Sequence, residues 1–332
     1  MSCINCTIKP STFQVRFQEK EHLLHMIAKH IQRMGFPAII NEEGHLYIEE
    51  EAMNEVVSFC EDFSELSKIQ FANDQRWLSL KEIKTLLAAS WVEQIIKEKR
   101  IICYSQAIIT RNEEIYGHEV LARFISVDGK LLSPGEVFAA AKIRGKLYAL
   151  DRTCRLAAVQ YAERLPNKVF INFLPTSIYS PEFCLRSTVA LANRLNIKPD
   201  RFVFEVVETE EVKDTDHLKH ILNYYQEKGF RYALDDVGEG FSTADLLADI
   251  TPHYMKLDRQ FVEGIANDTD KQQAARFYLD RARSIGSIPL AEGIEKRDDY
   301  LFLKEMGYEL FQGFYFSRPQ AEPVIQLDWS LL

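Results

Sequence analysis

From about residue 100 onward the chain repeats one pattern: a short apolar run, a longer helical stretch, then another apolar run. Strand candidates lie at 169–173, 202–207, 232–234, 254–257, 289–291 and 310–313, with helical stretches such as 218–228 and 271–285 between them. Such alternation, sustained towards the C-terminus, fits a (β/α)8 barrel of the TIM type, an α/β fold. An open doubly wound sheet is the competing architecture. The barrel is favoured because a polar residue recurs near the C-terminal end of strand after strand, where a barrel would gather them at one mouth.

Those polar residues are Glu119, before Val120-Leu121-Ala122-Arg123; Asn172, within Phe170-Ile171-Asn172-Phe173; Glu205 and Glu208; Asp235 and Asp236; Lys256; Glu292; and Gln312. An unpaired charge in an apolar strand is costly. One such residue reads as a satisfied core group, but a whole set in register asks for a shared purpose. The adjacent pair Asp235-Asp236 is the sharpest case. Two neighbouring carboxylates repel each other and lose solvation near a core. The bland reading is a strand-to-turn element with solvated acids, since Asp and Gly form turns. The chemical reading is a site for hard divalent cations, Mg2+ or Mn2+, for which carboxylates and amide oxygens are suitable ligands. A pair of such ions supports phosphodiester hydrolysis. In that reading Asp235 bridges two ions and Asp236 binds the second. Lys256 holds a nucleophilic hydroxide or offsets charge on the phosphate, and Glu292 orients or deprotonates the attacking water.

The first 75 residues alternate faster. Residues 12–17 read as a strand, 19–34 as a helix ending at Gly35, 36–40 and 45–48 as a hairpin, 50–59 as a helix and 68–71 as a strand. The order β-α-β-β-α-β predicts a small α+β sandwich of ferredoxin-like type. The expected division is a regulatory or interaction domain over 1–77, one long linker helix over 78–99 and the barrel over 100–332. The 332 residues carry a net charge of −9, which argues against a DNA-coating protein. No apolar run is long enough for a membrane span and no signal peptide is evident, so a cytoplasmic location is expected. Cys3 and Cys6, with His22 and His25, make a Cys2His2 zinc site conceivable, though the histidine spacing is short for it.

Glu119-Val120-Leu121-Ala122-Arg123 resembles the Glu-Ala-Leu-x-Arg signature of EAL-domain cyclic-di-GMP phosphodiesterases. The likeness runs from about 102 to 319. It includes Leu132-Ser133-Pro134-Gly135, Leu150-Asp151, the Asn172 and Glu205/Glu208 strands, Asp235-Asp236, Lys256-Leu257-Asp258, Ala291-Glu292-Gly293 and Gln312-Gly313. The resemblance implies a (β/α)8 barrel that opens cyclic-di-GMP to linear 5′-pGpG. It also implies that Glu119, Asn172, Glu205 and Asp235 hold one metal, while Asp235 and Asp236 serve a second, with Glu292 acting through water. Lys256 matches the essential lysine and Gln312 a glutamine at the metal and water site. Glu208 matches a loop-anchoring glutamate, Arg123 an arginine facing a substrate phosphate, and Gln106 a substrate-contacting glutamine. A homodimer through the barrel is the family's usual state. Three departures stand out: Val120 replaces Ala, Ala107 replaces Pro, and Val237 replaces the Phe of Asp-Asp-Phe-Gly. The leading expectation is a metal-dependent phosphodiesterase whose N-terminal domain meets a signal or protein partner. Its rivals are a catalytically weak cyclic-di-GMP receptor, which the Val237 loop supports, and a ligand-free scaffold.

Overall fold

The computed structural model describes residues 12–17, 21–61, 69–73, 76–206, 214–238 and 243–327. The expectations for Cys3, Cys6 and Glu208 lie outside them. The chain forms two compact units. One holds the N-terminal residues through Glu98 together with Gly135–Leu147; the other holds Lys99–Pro134 and the residues from Tyr148 onward.

The smaller unit is built on an antiparallel sheet of β1 (Thr12–Phe17), β2 (Ala38–Ile40), β3 (Leu46–Glu49), β4 (Ile69–Ala72) and β5 (Trp77–Leu78), in the order β2-β3-β1-β4-β5. Period-two alternation puts Phe13, Val15, Phe17, Leu46 and Ile48 on the covered face. The helices Glu21–Arg33 and Glu50–Glu61 cover it with Leu24, Ile27, Ile31, Met53 and Val56. This is the ferredoxin-like connectivity expected from sequence, with β5 added at one edge.

The single helix expected over 78–99 is two helices, Leu80–Ala88 and Trp91–Glu98, the first capped by a Ser79–Glu82 capping box. The apolar stripe explains the break. Leu80, Ile83 and Leu87 are buried, and an unbroken helical repeat would next bury Ser90 or Trp91, which are exposed. Interrupting the helix at Ala89-Ser90 lets Val92, Ile95 and Ile96 face inward instead.

Arg144 belongs to this smaller unit. Its guanidinium is 4% exposed and donates to Glu50 at 2.7 Å and Glu93 at 2.6 Å. Replacing it with alanine strands two half-buried carboxylates, and a loss of about 2–3 kcal/mol in unfolding free energy is expected. Urea denaturation followed by the fluorescence of Trp77 and Trp91 checks this; an unchanged midpoint contradicts the clamp.

The larger unit is a closed barrel. Its strands are β6 (Ile101–Thr110), β7 (Ile115–Ile125), β8 (Leu131–Leu132), β9 (Lys168–Phe173), β10 (Phe202–Val206), β11 (Arg231–Val237), β12 (Tyr254–Leu257), β13 (Ile288–Ala291) and β14 (Leu310–Gln312). Parallel pairing runs from β7 through β9 to β14, and β6 closes the ring between β14 and β7, with β8 appended to β7. Closure excludes the open sheet. One departure from an all-parallel barrel is that β6 runs antiparallel to both neighbours. A layer of buried side chains fills the interior: Ile108, Phe170, Val203, Ala233, Tyr254, Leu290 and Leu310.

Candidate active site

The site is the next inward-facing layer above that core. Side chains on one face of a strand recur every two residues. Two residues beyond Phe170, Val203, Ala233, Tyr254, Leu290 and Leu310 stand Asn172, Glu205, Asp235, Lys256, Glu292 and Gln312. On the reversed strand β6 the count runs backwards, from Ile108 to Gln106, which pairs with Glu119 on β7. Glu119 has Gly117 two residues below it. A Cβ there would lie 2.7 Å from the Lys168 carbonyl oxygen, so glycine allows the close approach of β7 and β9.

Asp236 breaks the alternation, because a regular strand would turn it away from Asp235. The pairing of β11 with β12 shifts register between Leu234 and Val237, and Asp236 takes a left-handed backbone with φ +48°. This irregularity returns its carboxylate to the mouth, as bulges beside functional sites do. Carboxylate oxygens of Asp235, Asp236 and Glu292 lie within 4.8 Å of one another.

The amides and Lys256 organise the acids. Asn172 Nδ2 donates to Glu119 Oε1 at 2.8 Å, and Gln312 Nε2 donates to Glu119 Oε2 at 2.6 Å and to Gln106 Oε1 at 3.1 Å. Gln106 Nε2 in turn donates to the Ser317 carbonyl at 2.8 Å. Lys256 is 1% exposed, with its ammonium 2.7 Å from Asp235, 2.9 Å from Glu205 and 3.2 Å from Glu292. Val237 is fully buried at the end of β11. Arg123 follows Glu119 along β7 at an even spacing, on the same face of the strand, with its guanidinium over the Tyr104 ring. The structure thus brings together Gln106, Glu119, Asn172, Glu205, Asp235, Asp236, Lys256, Glu292 and Gln312. Sequence reading missed Arg259 and Phe314, which line the mouth cavity with Gln106, Glu119 and Glu292. It also missed Ser317, which holds Gln106. Only Arg259 left a signal, following the Lys256-Leu257-Asp258 run directly.

Burial dominates the proton affinities. It pushes Glu205 and Glu292 well above the usual carboxylate range despite the Lys256 charge. Burial, then the neighbouring Asp235, raises Asp236 to about 6. Burial also opposes the charged form of Glu119, but Lys256, Gln312 and Asn172 together outweigh it and lower its pKa. Burial likewise works against charged Lys256, yet Asp235, Glu205 and Glu292 keep it firmly protonated. Five carboxylates face one ammonium, so they cannot all ionise together without further positive charge. Glu205 Oε1 and Asp235 Oδ1 face the Lys256 ammonium, while Oε2 of Glu205 is buried without a hydrogen-bond donor among the described residues. An orphaned acceptor and a crowd of hard oxygen ligands fit divalent cations.

Fold and site define an α/β barrel protein with an acidic mouth suited to metal ions. The chain belongs to the EAL domain family, which matches residues 89–319. It is 29% identical over 239 residues to an Escherichia coli K12 protein named as the probable cyclic di-GMP phosphodiesterase PdeG, a match that covers 69% of this chain and 46% of that one. The chain spans less than half the length of such curated relatives. Among solved structures, a standalone versatile EAL protein from Vibrio cholerae O395 in its c-di-GMP-bound form is 33% identical, with a TM-score of 0.62, over 69% of this chain and 95% of that one. Klebsiella pneumoniae BlrP1, in a calcium and cyclic-di-GMP complex, shares the fold over 96% of this chain and 98% of its own, at 20% identity and TM-score 0.62. No helix among the described residues is long and apolar enough to cross a membrane.

Proposed function

We propose that this chain hydrolyses cyclic-di-GMP to 5′-pGpG at the barrel mouth. The observation that carries the proposal is the complete inward layer of Glu119, Asn172, Glu205, Asp235 and Glu292 around buried Lys256, joined by Asp236 through the irregularity in β11. The residues that would hold Mg2+ or Mn2+, two ions per site, are Glu119, Asn172, Glu205 and Asp235 for one and Asp235 with Asp236 for the other. When bound, the ions supply Lewis-acid charge to the phosphodiester oxygens and lower the pKa of a water. The protein's own groups position and transfer protons. Glu292, with proton affinity raised by burial, orients the attacking water and takes its proton. Lys256 offsets charge that builds on the phosphate. Gln312 and Asn172 fix the Glu119 carboxylate, and with the Asn172 nitrogen so engaged its oxygen is the atom suited to a cation. Gln106 and Arg123 contact the substrate.

Family resemblance supports a homodimer through the barrel and a cytoplasmic setting. The smaller unit, which exposes Met26, Met34 and Ile39 singly, is the part proposed to meet a protein partner. The test of function is conversion of cyclic-di-GMP to 5′-pGpG with Mg2+ or Mn2+, beside a Glu119→Ala control. Product from the native chain alone supports the proposal; no turnover above the control contradicts it. Tight binding without product would make the protein a receptor, the reading favoured by Val237 in place of Phe.

A further inference from the structure

The largest fully buried side chain outside the mouth is charged: Arg155, at 0% exposure. It lies on the helix Leu147–Tyr161, one turn after Asp151, which is 3% exposed. Arg155 Nε donates to Asp151 Oδ2 at 2.8 Å, and Nη1 donates to the Thr188 hydroxyl at 3.1 Å. Taking two charges out of water is costly, so such a pair needs further partners to persist. Asp151 has them, and they all lie in the turn that follows β9. Its Oδ1 accepts the Leu174 backbone N–H at 3.0 Å, and its Oδ2 lies 3.1 Å from the Ser177 hydroxyl. Leu174 is two residues beyond Asn172.

The other side of the pair leads to the neighbouring strand. The Arg155 charge bears on Tyr225, which is itself fully buried. The Tyr225 ring stacks on Phe204 at 4.1 Å and meets Phe173 edge-on at 5.5 Å. Phe173 and Phe204 are the chain neighbours of Asn172 and Glu205. A single buried ion pair is therefore tied to the ends of both strands that carry these site residues. Neither charge touches the mouth.

We propose that Asp151 is a positioning residue for the acidic mouth: it pins the β9 turn so that Asn172 meets Glu119 at cation-binding geometry, with Arg155 as its counter-charge. The proposal rests on the reading of the mouth as a divalent-cation site. Partners one shell behind a ligand commonly change metal affinity by about 10–100-fold.

Titration of the full chain with Mn2+, followed by the electron paramagnetic resonance of free ion and without substrate, tests it. Asp151→Asn keeps an oxygen for Leu174 but loses the charge that holds Arg155. Leu303→Ala, a cavity variant in the helix Arg297–Met306, is the control for lowered stability as such. The expected result is Mn2+ affinity weakened by at least ~10-fold in Asp151→Asn and changed less than ~2-fold in Leu303→Ala. Equal affinities in the two overturn the positioning role. If Asp151→Asn does not fold, Ser177→Ala decides: it leaves the ion pair intact, and a weakening of about 3-fold or more is expected. Affinity unchanged from the native chain then overturns the role. Absence of Mn2+ binding by the native chain instead overturns the reading of the mouth itself, and this role with it.

Discussion

Replacing Lys256 with methionine is expected to destabilise the metal-free protein by about 3–5 kcal/mol, the usual effect of removing one partner from a buried ionic cluster. The ammonium is 1% exposed and stands within 3.2 Å of Glu205, Asp235 and Glu292, so its removal leaves those acids buried without their counter-charge. Methionine matches its length without the charge, which keeps the packing change small. Urea unfolding in the presence of a chelator should show a lower midpoint at unchanged slope. Added Mn2+ should recover part of the loss, because ions that bind only the folded state stabilise it. Hydrolysis should fall by about 10²–10³-fold, as when an electrostatic group at a reacting centre is removed. An unchanged urea midpoint would show that Lys256 is not what balances these acids.

Gly313→Ala is expected to be nearly as damaging, for a steric reason. A Cβ at Gly313 would lie 2.0 Å from the Ile294 carbonyl oxygen and 2.3 Å from the Ile294 nitrogen. Both obstacles are backbone, and Ile294 N donates to the Gln312 carbonyl at 3.0 Å in the same contact. Either the segment after β13 or the end of β14 must move. Overpacking of this kind costs about 1–3 kcal/mol or more. The displaced residues adjoin Glu292 and Gln312, and misplacement by about 1 Å at a reacting centre lowers rates by about 10²-fold. Gly129→Ala is the control, since nothing lies within 4 Å of its Cβ position and only backbone strain changes. Steady-state hydrolysis by the two variants checks the contrast. Equal activities would mean that the Gly313 contact does not set the geometry of the mouth.

The barrel was legible in the sequence because its interior obeys a period of two. Phe170 and Asn172, Val203 and Glu205, or Leu290 and Glu292 can be read as core residue and site residue from that alternation alone. The small sandwich was legible for a similar reason, through the alternation of Phe13, Val15 and Phe17. What escaped depends on contacts between distant segments. The reversed direction of β6 follows from its pairing with both β14 and β7, which local pattern does not encode. The return of Asp236 to the mouth depends on a register shift against β12. The linker broke where its apolar stripe changed phase at Ala89-Ser90, although both residues tolerate a helix. Asp151 was visible in the sequence only as half of a short motif. Its role emerges from hydrogen bonds to Leu174 and Ser177, which follow it by more than twenty positions.

The inward layer at the barrel mouth is proposed to take the phosphodiester of cyclic-di-GMP together with divalent cations. A crystal structure of the full chain with cyclic-di-GMP and Ca2+ tests this most directly. The expected result is a substrate phosphate at the mouth, with Ca2+ bound by Glu119, Asn172, Glu205, Asp235 and Asp236 and with Lys256 and Glu292 beside the scissile bond. A dinucleotide bound away from the mouth, or a mouth that holds the dinucleotide with no ion on those carboxylates, would contradict it.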